Sequence, residues 1–196
     1  KYIIHLENAS NYSRSSIYKK MKFNTFIAEK GSDYKPKKVV LNDGNASDAS
    51  SYNTVLDNID VRKNQFFQLV TMQNHLPWGK DNPAELNGHG EGYTDIENTI
   101  LSRYSRDLKD TDDMTADFLG ELSKINKNIT VVFYGDHLPG LYPEKTFTDD
   151  PESKYETDYF IWSNFETEKL NYPVITSSNF PALLLKETNS KVSPYY

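Results

Sequence analysis

Two segments of this 196-residue chain place a histidine just ahead of a leucine-proline pair and just past an apolar run: "FFQLVTMQNHLPW", with His75, and "TVVFYGDHLPG", with Asp136 and His137. A carboxylate oxygen beside an imidazole nitrogen suits Zn²⁺, Mn²⁺ or another borderline divalent ion, whereas Mg²⁺ and Ca²⁺ sites favour oxygen alone. Adjacent side chains of a strand point to opposite faces, so Asp136 and His137 converge only where the backbone bends. Gly135 before them and Pro139 after them supply such a bend. Read alone, an Asp-His pair of this kind more often caps a loop and packs its ring on a neighbour. His75 is equally open to two roles. It holds its loop by a hydrogen bond, or as a neutral ring it donates to a substrate oxygen or protonates a leaving group.

Weaker candidates lie near the start of the chain. Arg14, in "NASNYSRSSIY", carries a guanidinium of the kind that clamps phosphate bidentately, and Tyr12 offers a ring for a sugar or glycerol. Composition alone favours a solvated loop arginine there. His5 and Glu7 sit two apart on the first strand, hence on one face. His89, in the glycine-rich "ELNGHGEGY", reads as a solvated loop residue. With no cysteine, thiolate catalysis, disulfides and cysteine-ligated metals are excluded. A net charge of −6 argues against a nucleic-acid partner. An anionic substrate then needs positive charge supplied locally, by a metal and an arginine.

The elements that must position these residues are legible in outline. Strands are expected at Tyr2–His5, within Asn64–Met72, at "TVVFY" and at Thr157–Ser163, and a helix over Ser15–Met21. A further short apolar stretch covers Phe23–Ile27. Asn42–Asn53 reads as a surface loop, with Ser50 or Ser51 capping a helix that carries Val55, Leu56 and Ile59. From Thr94 the pattern is helical: Ile96, Ile100, Tyr104 and Leu108 recur every fourth residue, then Met114, Phe118, Leu122 and Ile125 continue it. The intervening "KDTDD" is either the solvent face of one long helix or a break. A last helix follows "SSNFP", with Pro181 in its first turn. Apolar strands alternating with helices predict an α/β sheet covered on both faces, with ligands gathering beyond the C-terminal ends of its strands. No window approaches the ~18 consecutive apolar residues of a membrane helix.

Taken in order, "FFQLVTMQNHLPW", "VVFYGDHLPGLYP", "TDYFIWSNF" and "SSNFPALLLKET" resemble the catalytic domain of the lipoteichoic-acid synthase and phosphoglycerol transferase family, within the sulfatase and alkaline phosphatase superfamily. "NYSRSSIYKKMKFNTFI" resembles the family's arginine-bearing stretch. The resemblance implies an alkaline-phosphatase-like α/β fold and a single catalytic divalent ion, Mn²⁺ or Mg²⁺ ahead of Zn²⁺, with Asp136 and His137 among its ligands. It further implies that His75 contacts the phosphoglycerol headgroup, that Arg14 grips the phosphate, and that His5, Glu7 and Tyr12 fall on neighbouring pocket positions. Tyr12 stands where an indole is common, and Glu7 where a shorter acid is.

The family's threonine nucleophile and an acidic metal ligand lie upstream of these segments, and Thr71 does not replace the former. Residues 1–196 are therefore expected to form the C-terminal portion of one sulfatase-like catalytic domain, inactive alone, without the nucleophile segment or the membrane helices. The implied activity is glycerophosphate transfer from a phosphatidylglycerol-type lipid or other glycerophosphate donor to a glycan or teichoic-acid acceptor. Its place would be the extracellular face of a Gram-positive membrane. The alternatives are phosphodiester or sulfate-ester hydrolysis on the same fold, or a non-catalytic carbohydrate-binding fragment.

Overall fold

The structure is a computed structural model and describes residues 1–78, 86–168 and 170–194. The chain divides into two units, Lys1–Ile125 with Pro139–Pro143, and Asn126–Leu138 with Glu144–Tyr196.

In the first unit β1 (Tyr2–Ile4) is the central strand of a parallel sheet, flanked by β2 (Thr25–Ile27) and β5 (Phe67–Leu69). Ile3 pairs with Phe26 on one side and Gln68 on the other. Ile3, Ile4, His5 and Leu6 are buried in succession, as expected for a strand covered on both faces. Helix α1 (Arg14–Lys20) lies on the connection between β1 and β2, as a parallel pair requires. This is the α/β class that the sequence predicts.

The stretch read as a plain loop after Asn42 is more ordered than that. β3 (Leu41–Asn42) and β4 (Asn45–Ala46) form a tight hairpin. Its two turn residues, Asp43 and Gly44, have φ of 49° and 89°, the pattern of a type I′ turn. Helix α2 (Asp48–Leu56) then starts at once, and its cap is Ser47 rather than Ser50 or Ser51. The Ser47 hydroxyl accepts the Ser50 N–H at 3.2 Å.

Helix α3 (Asp95–Ser123) is unbroken through "KDTDD", and a Thr94–Glu97 capping box closes its first turn. Its buried stripe is Asp107, Thr111, Thr115, Phe118 and Leu122, while Ile96 and Leu108 are exposed. Thr111 and Thr115 are buried because α2 supplies their partners, Asp48 and Tyr52. The Tyr52 and Thr115 hydroxyls bond at 2.8 Å, and Tyr52 stacks on Phe118 with centroids 4.5 Å apart.

In the second unit β6 (Thr130–Tyr134) pairs antiparallel with β7 (Tyr159–Ser163), Thr130 opposite Ser163. Phe133 stacks on Phe160 across this ladder, and Tyr134 stacks on Phe180 at the start of α4 (Phe180–Glu187). The rule about ligands beyond parallel strand ends thus reaches β1 and β5, and β6 only as half of an antiparallel pair. Among the described residues no helix is long and apolar enough to cross a membrane.

Candidate active site: histidines at strand ends

His5 follows β1 directly and is fully buried. Its N–H donates to the Ile27 carbonyl at 3.0 Å, extending the pairing with β2. Its Nδ1–H donates to the Val70 carbonyl at 3.1 Å, just past β5. A carbonyl only accepts, so the proton sits on Nδ1, and Nε2 is a buried lone pair with no partner among the described residues. Burial, with the Arg14 charge acting the same way, lowers the ring's pKa below 6.5 against opposing contributions from Val70 and Glu7.

The loop after His5 is held at several points. Asn11 Nδ2 donates to Glu7 Oε2 at 2.9 Å, and the Ser15 hydroxyl donates to the Ala9 carbonyl at 2.8 Å. Tyr12 and Ser13 have φ of 53° and 56°, a left-handed pair without glycine. That turn sets the Arg14 guanidinium carbon 5.0 Å from the Tyr12 ring centroid, within cation–π range, with Tyr12 itself 79% exposed. His5, Glu7, Tyr12 and Arg14 are therefore gathered at the C-terminal end of β1.

His75 sits in the turn after β5 and is exposed. Its N–H donates to the Met72 carbonyl at 3.0 Å, and its own carbonyl accepts Asn45 Nδ2 at 2.9 Å. Its Nδ1–H donates to the Leu76 carbonyl at 2.9 Å. A neutral His75 so held presents a lone pair at Nε2, accepts a proton there, and donates after it has become imidazolium.

In the second unit, Gly135 N–H donates to the Asp158 carbonyl at 3.1 Å, and Thr157 Oγ1 donates to the Gly135 carbonyl at 2.8 Å. A β-carbon on Gly135 would lie 3.0 Å from Thr157 Cβ, a tight contact that Thr157 would have to yield to by a few tenths of an ångström. Asp136 Oδ1 caps its own turn by accepting the His137 N–H at 3.0 Å, and Oδ2 lies 3.6 Å from His137 Nε2. His137 Nδ1–H donates to the Leu138 carbonyl at 2.9 Å. Both side chains are open to solvent. Loop cap and metal pair are thus compatible: one oxygen serves the turn while the other shares a face with Nε2.

The donor chemistry fits a divalent ion. Metal-bound imidazoles are characteristically oriented by a second hydrogen bond at the other ring nitrogen, as here. Donor atoms 3.6 Å apart can both lie about 2.0–2.2 Å from one ion. Two ligands are half of a tetrahedral set, however, and among the described residues no group of three or more His, Asp or Glu is arranged to hold a metal. What sequence reasoning missed is a buried polar cluster of Asp48, Gln73, Asn74 and Thr111 beside His75. Its only trace is the pair of amides in "MQNH".

Comparison with known proteins gives a consistent picture. The chain is 48% identical to the Streptococcus pyogenes phosphoglycerol transferase GacH, solved in complex with sn-glycerol-1-phosphate, with a TM-score of 0.95 over 100% of this chain and 51% of that one. The lipoteichoic acid synthase LtaP from Listeria monocytogenes shares the fold at 21% identity and a TM-score of 0.52, over 82% of this chain and 42% of that one. The capsular polysaccharide biosynthesis protein RkpI of Rhizobium meliloti is 30% identical over 129 residues, 66% of this chain and 21% of that protein. The chain thus spans about half of the GacH chain and a smaller part of RkpI. A family model described as Sulfatase matches residues 1–190, and the chain belongs to the sulfatase family.

Proposed function

We propose that the chain is the C-terminal portion of the catalytic domain of a metal-dependent phosphoglycerol transferase of the cell envelope. The observation that carries this reading is its likeness to GacH, 48% identical with a TM-score of 0.95 over the whole chain. The site chemistry agrees with it. Arg14 binds the phosphate of a glycerophosphate donor through paired charge-assisted hydrogen bonds, and Tyr12 closes over the glycerol. His5 and Glu7 line the same pocket. Asp136 and His137 would hold a divalent ion, Mn²⁺ or Mg²⁺, and such an ion would supply charge neutralisation for phosphoryl transfer. His75 Nε2 accepts the proton of the attacking acceptor hydroxyl and, once charged, can return it to a departing oxygen. The nucleophile in this reading is a threonine upstream of Lys1, which carries the glycerophosphate ester between donor and acceptor. The donor is a phosphatidylglycerol-type lipid or a related glycerophosphate, the acceptor a glycan or teichoic acid, and the setting the outer face of the membrane.

The test is glycerophosphate transfer by the whole protein, with Mn²⁺ or with chelator, in wild type and Arg14→Ala. Acceptor-dependent, metal-dependent transfer that Arg14→Ala abolishes is expected. Equal release of glycerol phosphate to water with and without acceptor would replace the transferase by a hydrolase of the same fold.

A further inference from the structure

His75 carries its chemistry on an exposed turn, yet the residues just before it are tied into the interior. Gln73 is 2% exposed, and its Oε1 accepts the Asp48 N–H at 2.9 Å, at the first residue of α2. Asn74 Nδ2 donates to Thr111 Oγ1 at 2.9 Å, on the middle of α3. The Thr111 hydroxyl in turn donates to Asp48 Oδ2 at 2.7 Å. Asp48 is fully buried, so one carboxylate on α2 and one hydroxyl on α3 form a relay that ends on the residue preceding His75. On the outer side, Asn45 Nδ2 holds the His75 carbonyl, and Trp78 Nε1–H donates to the Asn74 carbonyl at 3.0 Å.

A buried carboxylate is a costly way to hold two helices together, since an apolar pair of similar volume would pack without desolvating a charge. Asp48 Oδ1 even lacks a partner among the described residues. What this arrangement supplies, and apolar packing does not, is direction. With its proton committed to Asp48 Oδ2, Thr111 Oγ1 offers its lone pairs to Asn74 Nδ2, so the carboxylate orients the relay and the Asn74 side chain is tied to both helices.

We propose that Asp48 and Thr111 are positioning residues for His75, acting through Asn74 and Gln73 to hold its Nε2 at the reacting oxygen. This rests on the catalytic role of His75 in the proposed function. The relay touches no substrate and adds no step to the reaction. Its effect is on how often the ring stands in reach, and displacements of about 1 Å at such a group cost up to roughly a hundredfold in rate.

The experiment is a mutant cycle in the whole protein, with kcat and KM for the glycerophosphate donor read alongside thermal unfolding. Thr111→Val keeps the shape and removes both hydrogen bonds. It is expected to lower kcat roughly tenfold to a hundredfold with the donor KM changed less than about twofold. Thr111→Ser restores the hydroxyl and most of the rate. In a His75→Ala background Thr111→Val has no further effect on kcat. If Thr111→Val does not fold, Asn74→Ala cuts the same relay from the half-buried loop side, and the same pattern is expected. Unchanged kcat in a folded relay variant, or losses that multiply in the His75→Ala background, overturns the positioning role while leaving the proposed function intact. Full activity of His75→Ala alone overturns the catalytic role of His75 and, with it, the positioning role that rests on it.

Discussion

His75 and His137 hold their rings in the same way, each Nδ1–H donating 2.9 Å to the carbonyl of the leucine that follows. The shared His-Leu-Pro sequence is therefore a local device that fixes one tautomer and leaves Nε2 as the working atom. His5 reaches the same tautomer through a distant carbonyl, that of Val70.

This predicts that near-isosteric amide replacements of the Asp136–His137 pair fail to hold a metal. Glutamine places a nitrogen near the position of Nε2 but carries two protons on it, so it cannot donate a lone pair to a metal. His137→Gln and Asp136→Asn should each weaken Mn²⁺ binding by the whole protein at least roughly a hundredfold, above the range for losing an outer hydrogen-bond partner. Isothermal calorimetry measures this directly. Near-wild-type affinity in either variant would remove the pair from the metal site.

Arg14 is expected to be sensitive to shape as well as charge. Arg14→Lys keeps the charge and loses the planar fork, so kcat/KM for the donor should fall roughly tenfold to a hundredfold, as for one or two hydrogen bonds to a charged group. The change should appear mainly in KM. A lysine variant that matches wild type would mean Arg14 acts only as a diffuse positive charge.

His5 sets a pH dependence of stability. Its folded pKa lies below 6.5, so as pH falls through that value the unfolded chain takes up a proton that the folded chain refuses. The stability this represents is complete above pH 6.5 and is lost on acidification toward the folded pKa. Asp48, whose pKa burial raises, contributes with the opposite sign at acidic pH, so the comparison with His5→Asn isolates the histidine. Urea midpoints measured from about pH 7.5 down to 5 should drop less steeply in His5→Asn than in wild type. Parallel profiles would mean the ring is hydrated in solution.

The two ends of α3 should respond very differently to truncation. Phe118→Ala removes a buried ring stacked on Tyr52 and should cost about 3–5 kcal/mol in urea unfolding. Ile96→Ala, at a residue 74% exposed, should stay within about 0.5 kcal/mol. Equal losses would show that the apolar stripe from Ile96 to Leu108 is buried after all.

That contrast also shows where sequence reading reached its limit. Fourfold spacing identified α3 as a helix and marked Phe118 and Leu122 as core, because both signals depend only on local periodicity. It also marked Ile96 and Leu108, and passed over Thr111 and Thr115, because burial of a hydroxyl depends on a partner 63 residues away. Residue type alone makes Ser50 or Ser51 a candidate cap; Ser47 is the cap because the Asp43-Gly44 turn delivers the chain to the helix earlier. The glycine beside Asp136 was legible as a bend. That β6 would pair antiparallel with β7 was not, since strand composition does not state direction. The gathering of His5, Glu7, Tyr12 and Arg14 came through because they are near in sequence as well as in space.

The left-handed turn at Tyr12 and Ser13 carries a consequence for evolvability. Each such residue holds a conformation that disfavours the folded state by about 1–3 kcal/mol, and glycine would adopt it freely. Ser13→Gly is thus a simple route to a more stable chain, and also to a looser hinge between Tyr12 and Arg14. A lineage under selection for heat tolerance alone would drift toward glycine there. With two side-chain-bearing residues at these angles, the loop has rigidity at the expense of stability.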